Sequence, residues 1–332
     1  MAIGINFGSN AASYKGETAV AGGPPGTIFI AFAAQASKGG VDIEVNAGKT
    51  LTKSMLSAGK GDIAFYSGVP NLYVLMKNKK AMYSKIEEAP EYADNLRSIL
   101  GFKAGVFHVL TKENSGINEW KDIKGKTIFN GPPRGAALVN ARQAIVLASG
   151  FKEGDDYKGV QANWGQLANI LVDGSVDGVV VPLTFPSARV TVMQSAGSVK
   201  IVSTPKDIFE SEAYQKVFNA PGNIPLQVKW EDMGYSDGVS MVSEDGVFRG
   251  LGTAFVELVH KDMSFDLAKA ITATHIATLD KLKAKSPFAP NIGLAQMDPK
   301  LAGLCGPSKV KYHEGAIAAW EEAGYKVADC AK

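Results

Sequence analysis

The residues of this chain that could do chemistry sit in loops marked by glycine and proline. Arg134 lies between Pro133 and Gly135, just before Ala136, where a run of helical periodicity begins. A planar guanidinium in such a place can hold a carboxylate through two parallel N–H bonds. A plain surface arginine is the competing reading. Lys49 follows Gly48 and precedes Thr50 in a comparable loop, where a solvated lysine is the ordinary role. Tyr66, Ser67 and Thr184 would offer hydroxyls, and Trp164 or Phe185 would cover an apolar part of a small molecule. Aromatic residues of this kind more often pack in a core.

These residue types bind rather than react. The four histidines, His108, His260, His275 and His313, are scattered, and two of them fall in apolar extended segments. The sequence holds no HExxH, GxSxG or phosphate-loop pattern, and no CxxC or closely spaced histidine pair that would hold a metal. Gly22-Gly23-Pro24-Pro25-Gly26 is not the GxGxxG of a dinucleotide site. No catalytic residue, cofactor or metal is therefore assigned, and the chain reads as a non-enzyme.

Positioning the candidate residues falls to a regular alternation of elements. A strand over Glu17–Gly22 leads through Gly23, Pro24 and the loop to a helix starting near Thr27. Val41–Val45 is a period-two strand, and a helix carrying Leu51, Met55 and Leu56 follows it. Gly61–Tyr66 reads as a third strand, followed by a helix over Asn71–Lys77. The order strand, helix, strand predicts a parallel sheet covered by helices. A second such unit carries Lys126–Phe129, a helix with Leu138, Ala141 and Ile145 on one side, a helix near Trp164–Val172, and the strand Gly178–Val181. Residues 207–247 show weak periodicity. Ser264 reads as the N-cap of a long helix, and a last helix spans Tyr312–Ala323. Extended crossings at Leu100–Leu110 and Leu251–His260 divide the chain into two lobes, 14–104 plus 246–332 and 105–245.

In open α/β folds ligands bind beyond the carboxyl ends of the strands. Five loops occupy such ends: Gly22–Thr27, Asn46–Thr50, Tyr66–Pro70, Gly131–Ala136 and Pro182–Pro186. Several open helices, whose free N–H groups attract anions. Each loop alone is also an ordinary strand-to-helix turn.

Composition limits the partners. With 332 residues, 45% of them hydrophobic, the chain has material for about two domains. A net charge of +2 is too small for a polyanion, so nucleic acid is not a partner. Lys77-Asn78-Lys79-Lys80 reads as a solvated helix end. No apolar run approaches the roughly 20 residues that span a bilayer. Met1–Phe7 lacks the basic start and apolar run of a signal peptide, which taken alone reads as cytoplasmic; a chain with its leader removed would read the same. Cys305 and Cys330 fit either one disulfide holding the tail or two unpaired thiols.

The ordered set of segments resembles the TAXI family of extracytoplasmic solute receptors, the substrate-binding subunits of TRAP-type transporters. The resemblance rests on Ala21-Gly22-Gly23 leading to a helix, on Ser57-Ala58-Gly59-Lys60-Gly61-Asp62-Ile63, and on Ser115-Gly116-Ile117 with Trp120–Lys126 before a glycine-rich loop. Gly306-Pro307 to Tyr312 is similar to the family's ending, so the likeness runs from about Thr18 to Gly324. It implies a two-lobed, type II periplasmic binding fold with a ligand cleft between the lobes, closing over a small organic anion such as a carboxylate or dicarboxylate. It also implies a periplasmic location, a membrane-embedded transporter subunit as partner, and a monomer. Two departures bear on the ligand. Arg134 and Ala136 stand where the family usually has Ser and Thr, and Tyr66-Ser67-Gly68 stands where it often has Gln-Ser-Asp. The same fold also serves binding proteins of ABC importers and of sensors, and some bilobal transferases.

Overall fold

The computed structural model describes residues 13–332 apart from 22, 134–135, 221 and 286–309. The chain is mixed α/β and splits into two compact units. Unit 1 holds residues 1–104, 220–222 and 254–332, and unit 2 holds 105–219 and 223–253. The return crossing thus falls between Thr253 and Ala254, eight residues beyond the expected boundary at 246.

In unit 1, β1 (Ser13–Thr18), α1 (Pro24–Lys38), β2 (Asp42–Asn46), α2 (Leu51–Lys60), β3 (Phe65–Gly68) and α3 (Asn71–Lys77) alternate as the sequence predicts. A short α4 (Ala89–Asp94) precedes the long strand β4 (Leu96–Lys112), which continues into unit 2. β1 lies between β2 and β3, parallel to both, and β11 (Val247–His260) pairs antiparallel with β3. The unit is completed by α10 (Phe265–Lys285) and α11 (Glu314–Glu322).

Two strand assignments shift, each for a local reason. β1 begins at Ser13 rather than Glu17, and Val20 and Ala21 lie in the loop that follows it. The ring of Phe29 sits 2.5 Å from where a Cβ on Gly16 would be, so the helix packs onto β1 at this glycine. Gly61 is not the start of β3. It caps α2 with φ +82, and the N–H groups of Gly61 and Asp62 reach the carbonyls of Ala58 and Ser57. A left-handed residue at that place closes a helix, and glycine adopts it without a Cβ clash. α1 starts at two prolines, whose fixed φ suits a first turn and whose missing N–H groups would have had no helical partner. His313 caps α11, its Nδ1 accepting the Gly315 N–H at 3.1 Å, so that helix starts at Glu314.

Unit 2 contains β5 (Thr127–Phe129), α5 (Ala136–Ser149), β6 (Lys158–Val160), α6 (Leu167–Val172), β7 (Gly178–Leu183), α7 (Ala188–Gln194) and β8 (Val199–Val202). Residues 207–247, weakly periodic in sequence, are a set of short pieces: α8 (Lys206–Phe209), α9 (Glu212–Phe218), β9 (Asn223–Lys229) and β10 (Val239–Val242). β7, β5 and β6 are parallel, with β4 antiparallel on the other side of β7. Val179 and Val181 join one apolar core with Phe129 and Ile201, while Val180 joins another with Ile128 and Ile145. That alternation places a core on each face of the sheet, the reason these strands read as continuous apolar runs. Among the described residues no helix is long and apolar enough to cross a membrane.

Candidate functional site

In unit 1 the loops after β1, β2 and β3 leave the same edge of a parallel sheet, and backbone bonds tie them together. The N–H groups of Gly48 and Lys49 donate to the carbonyls of Ala19 and Thr18, each at 3.0 Å. The buried Thr18 hydroxyl donates to the Ser67 carbonyl at 3.0 Å. Gly23 donates to Val20, Thr27 N–H to Gly23, and the Thr27 hydroxyl to the Ala21 carbonyl. Pro24 has no N–H. The donors expected to meet an anion at Gly23, Thr27, Gly48 and Lys49 are therefore engaged within the loops. Tyr66 is buried with its hydroxyl donating to the Val69 carbonyl at 3.2 Å, and Ser67 is buried with its hydroxyl 3.5 Å from the Pro25 carbonyl. Among the described residues of these loops, Ala21, Gly48, Lys49 and Thr50 are exposed.

In unit 2 the loops after β5, β6 and β7 converge in the same way, but a charge remains free. Asn130 follows β5, fully buried, and its amide donates to Glu153 Oε2 at 2.6 Å while accepting from Gln161 at 2.8 Å. Arg142 of α5 grips the same carboxylate through two bonds of 2.8 and 2.7 Å. Hydrogen bonding from Arg142, aided by Asn130 and Gln161, holds the Glu153 carboxyl below its ordinary range. This frame fixes the roots of the loops after β5 and β6. It was not read from the sequence, because its members are 31 positions apart at the extremes and share no motif.

Trp164 lies in the loop after β6. Its ring meets Phe129 edge-on at 6.4 Å and lies 3.7 Å from where a Cβ on Gly131 would be. The guanidinium of Arg189, in the first turn of α7, lies over the same ring at 4.7 Å. Arg189 is partly buried and makes no hydrogen bond or ion pair with any described residue. Burial lowers its pKa to about 10, so it remains cationic at neutral pH without a counter-ion among the described residues. The sequence reading flagged the loop that ends at Pro186 but stopped three residues short of this arginine.

The other expected contacts of unit 2 differ in their surroundings. Phe185 is buried against His108, Phe248 and Tyr235, with centroids 5.4, 4.8 and 6.2 Å away, and so packs in the core. The Thr184 hydroxyl donates to the Pro186 carbonyl at 3.0 Å, and the Thr184 carbonyl accepts from Tyr235. Pro133 is exposed and Ala136 half-buried at the start of α5, while Arg134 and Gly135 lie outside the described residues. Cys330 is disulfide-bonded, and Cys305 lies outside the described residues. A separate recess of about 270 Å³, lined by Asn118, Ser203, Thr204, Glu244 and Arg249, has its hydroxyls bonded internally and the Arg249 guanidinium held by Asp245.

Comparison with known proteins adds a family and a set of distant folds. The model of the NMT1-like family matches residues 26–324. No curated protein matches the chain significantly. Among solved structures it is similar to a putative periplasmic sulfonate-binding protein of a sulfonate ABC transporter from Methylobacillus flagellatus, with 17% identity and a TM-score of 0.45, covering 83% of this chain and 70% of that one. It is also similar to the periplasmic ectoine-binding protein of a TRAP transporter from Halomonas elongata, with 12% identity and a TM-score of 0.45, covering 94% and 90%. A TRAP periplasmic solute-binding protein from a Sulfitobacter, with bound galacturonate, shows 12% identity and a TM-score of 0.46, covering 94% and 92%.

Proposed function

The chain belongs to the NMT1-like family, and from that premise we propose that it is a periplasmic solute-binding protein that captures a small organic anion. The carrying observation is Arg189. A cation held over an indole, partly desolvated and facing no carboxylate of the described residues, suits an anionic ligand. The ligand class is a carboxylate or dicarboxylate, with the guanidinium as its main contact, Trp164 covering its apolar part, and Lys49 of unit 1 as a weaker second charge. Capture proceeds by lobe closure, with the chain crossings between units as the hinge. The partner is the membrane-embedded subunit of a TRAP-type transporter of the TAXI class, with which the order of segments agrees, and the receptor acts as a monomer.

A thermal-shift screen against mono-, di- and tricarboxylates, amino acids, sulfonates and neutral sugars tests this reading. A ligand at 100 times its Kd stabilises by roughly 2.7 kcal/mol. One class of anion should shift the wild type, and Arg189→Ala should lose the shift while keeping its unliganded midpoint. An Arg134→Ala variant that lost the shift while Arg189→Ala kept it would move the contact back to the loop after β5. Shifts only with neutral sugars would sink the anion reading.

A further inference from the structure

Strand β11 carries one acid in an otherwise apolar run, Phe255-Val256-Glu257-Leu258-Val259, and all five residues are buried. Glu257 lies opposite Ser67 of β3, so the two side chains share the face on which Ser67 meets the start of α1. Onto that face α10 brings His275, whose ring is 4.0 Å from that of Phe32 of α1. Glu257 and His275 are both 0% exposed, with Nδ1 and Oε2 3.5 Å apart. None of their four polar side-chain atoms makes a hydrogen bond with a described residue. A buried ion needs hydrogen bonds as well as a partner to offset the loss of water, and here they are missing.

Among the described residues no other charge acts on the pair, burial being the one influence on either group. On α1 the one charged residue is Lys38, exposed at the last turn. On β3 the titratable group is Tyr66, opposite Leu258 and so on the other face. α11 offers Glu314, Glu321 and Glu322; Glu322 holds Lys269 of α10, and Glu321 holds Lys332. Asp266 is exposed in the first turn of α10, and His260 at the end of β11 faces Asp262. Burial alone pushes Glu257 up to about 8 and His275 down to about 3.

We infer that Glu257 and His275 form a neutral buried pair, carboxylic acid beside neutral imidazole, that makes the fold of unit 1 sensitive to pH on both sides of a neutral-to-acid plateau. The folded pair holds one proton, on Glu257, between about pH 3 and 8. The unfolded pair, with ordinary values of 4.5 and 6.5, also holds one proton between those two values, on the histidine. Proton counts match there, so stability is flat. Above 6.5 the unfolded histidine releases its proton while folded Glu257 keeps its own, and stability falls until about pH 8. Below 4.5 the unfolded glutamate takes up a second proton that the folded pair refuses until about pH 3, and stability falls again.

Urea unfolding across this pH range, in wild type, Glu257→Gln and His275→Gln, tests the pair, with the difference between proteins as the readout. In the wild type the unfolding constant should rise about tenfold per pH unit above 6.5. Glu257→Gln should lose that alkaline arm and begin to weaken already below 6.5 on the acid side. His275→Gln should lose the acid arm and begin its alkaline weakening at 4.5. Infrared spectra of the folded wild type should show a protonated-carboxyl stretch near neutral pH that fades with alkali and is missing from Glu257→Gln. An unchanged alkaline arm in Glu257→Gln overturns the inference. Should that variant fail to fold, the wild-type band decides: its absence near neutral pH overturns the neutral pair, and its bleaching with alkali supports it.

Discussion

The strand-end loops of the two units are built on one plan and finished differently. In unit 1 the loops after β1, β2 and β3 turn their polar groups on one another: the N–H groups of Gly23, Thr27, Gly48 and Lys49 and the hydroxyls of Thr18 and Thr27 all have backbone acceptors. In unit 2 the frame of Asn130, Glu153, Arg142 and Gln161 satisfies the loop roots, and Arg189 lies over Trp164 with no described residue to neutralise it. A loop whose donors are engaged supplies shape. A loop with an unmatched charge supplies binding energy. On the function proposed above, the ligand's main electrostatic contact lies in unit 2.

Five substitutions would break or sharpen that contrast. Arg189→Ala should cost the most, roughly 2–5 kcal/mol of ligand affinity by calorimetry, the scale of truncating one partner of a desolvated charge pair. Gly26→Ala comes next and acts on stability: its Cβ would fall 2.5 Å from the Val20 carbonyl oxygen, and such overpacking costs about 1–3 kcal/mol in urea unfolding. Gly131→Ala in unit 2 has room, its nearest neighbour being 3.6 Å away, but φ is +109, so strain of about 1–3 kcal/mol is expected instead. Glu153→Gln should loosen the frame and flatten acid sensitivity. Its folded pKa is depressed, so the stability it contributes is present above 4.5 and lost as pH falls below that value. Denaturation between about pH 3 and 6 would show the variant less affected by acid than the wild type. Lys49→Ala is the smallest, less than about 1 kcal/mol of affinity, since an exposed lysine is well screened. A larger loss from Lys49→Ala than from Arg189→Ala would reverse the assignment of the two units.

Much of the architecture was legible because alternation is a local signal. Apolar runs such as Gly178–Val181 and glycine-marked loops reveal strands and their ends without tertiary knowledge. Residues 207–247 were not legible because α8 has 4 residues and β10 has 4, too few for any periodicity to emerge. Arg189 was missed for another reason. Ser187-Ala188-Arg189-Val190 reads as an ordinary helix start, and the approach of Trp164 from the loop after β6 is a tertiary contact that no local signal announces. Glu257 did carry a signal in its sequence, a single acid among aliphatic strand residues, which a search for lone charges in apolar runs would have found.

The order in which the chain leaves the ribosome gives the division into units a further meaning. Unit 2 has its last residue by Thr253, whereas unit 1 waits for a third segment. Within that segment Trp320 of α11 donates its indole N–H to the Ile99 carbonyl, 221 positions upstream, and Tyr312 bridges to Ser98. Since domains fold as units during synthesis, unit 2 can be finished while the apolar faces of α1, β3 and the first part of β4 still lack α10 and α11. The nascent chain therefore presents a completed half beside an open one until its last helix emerges, and that interval is when a chaperone would have most to hold.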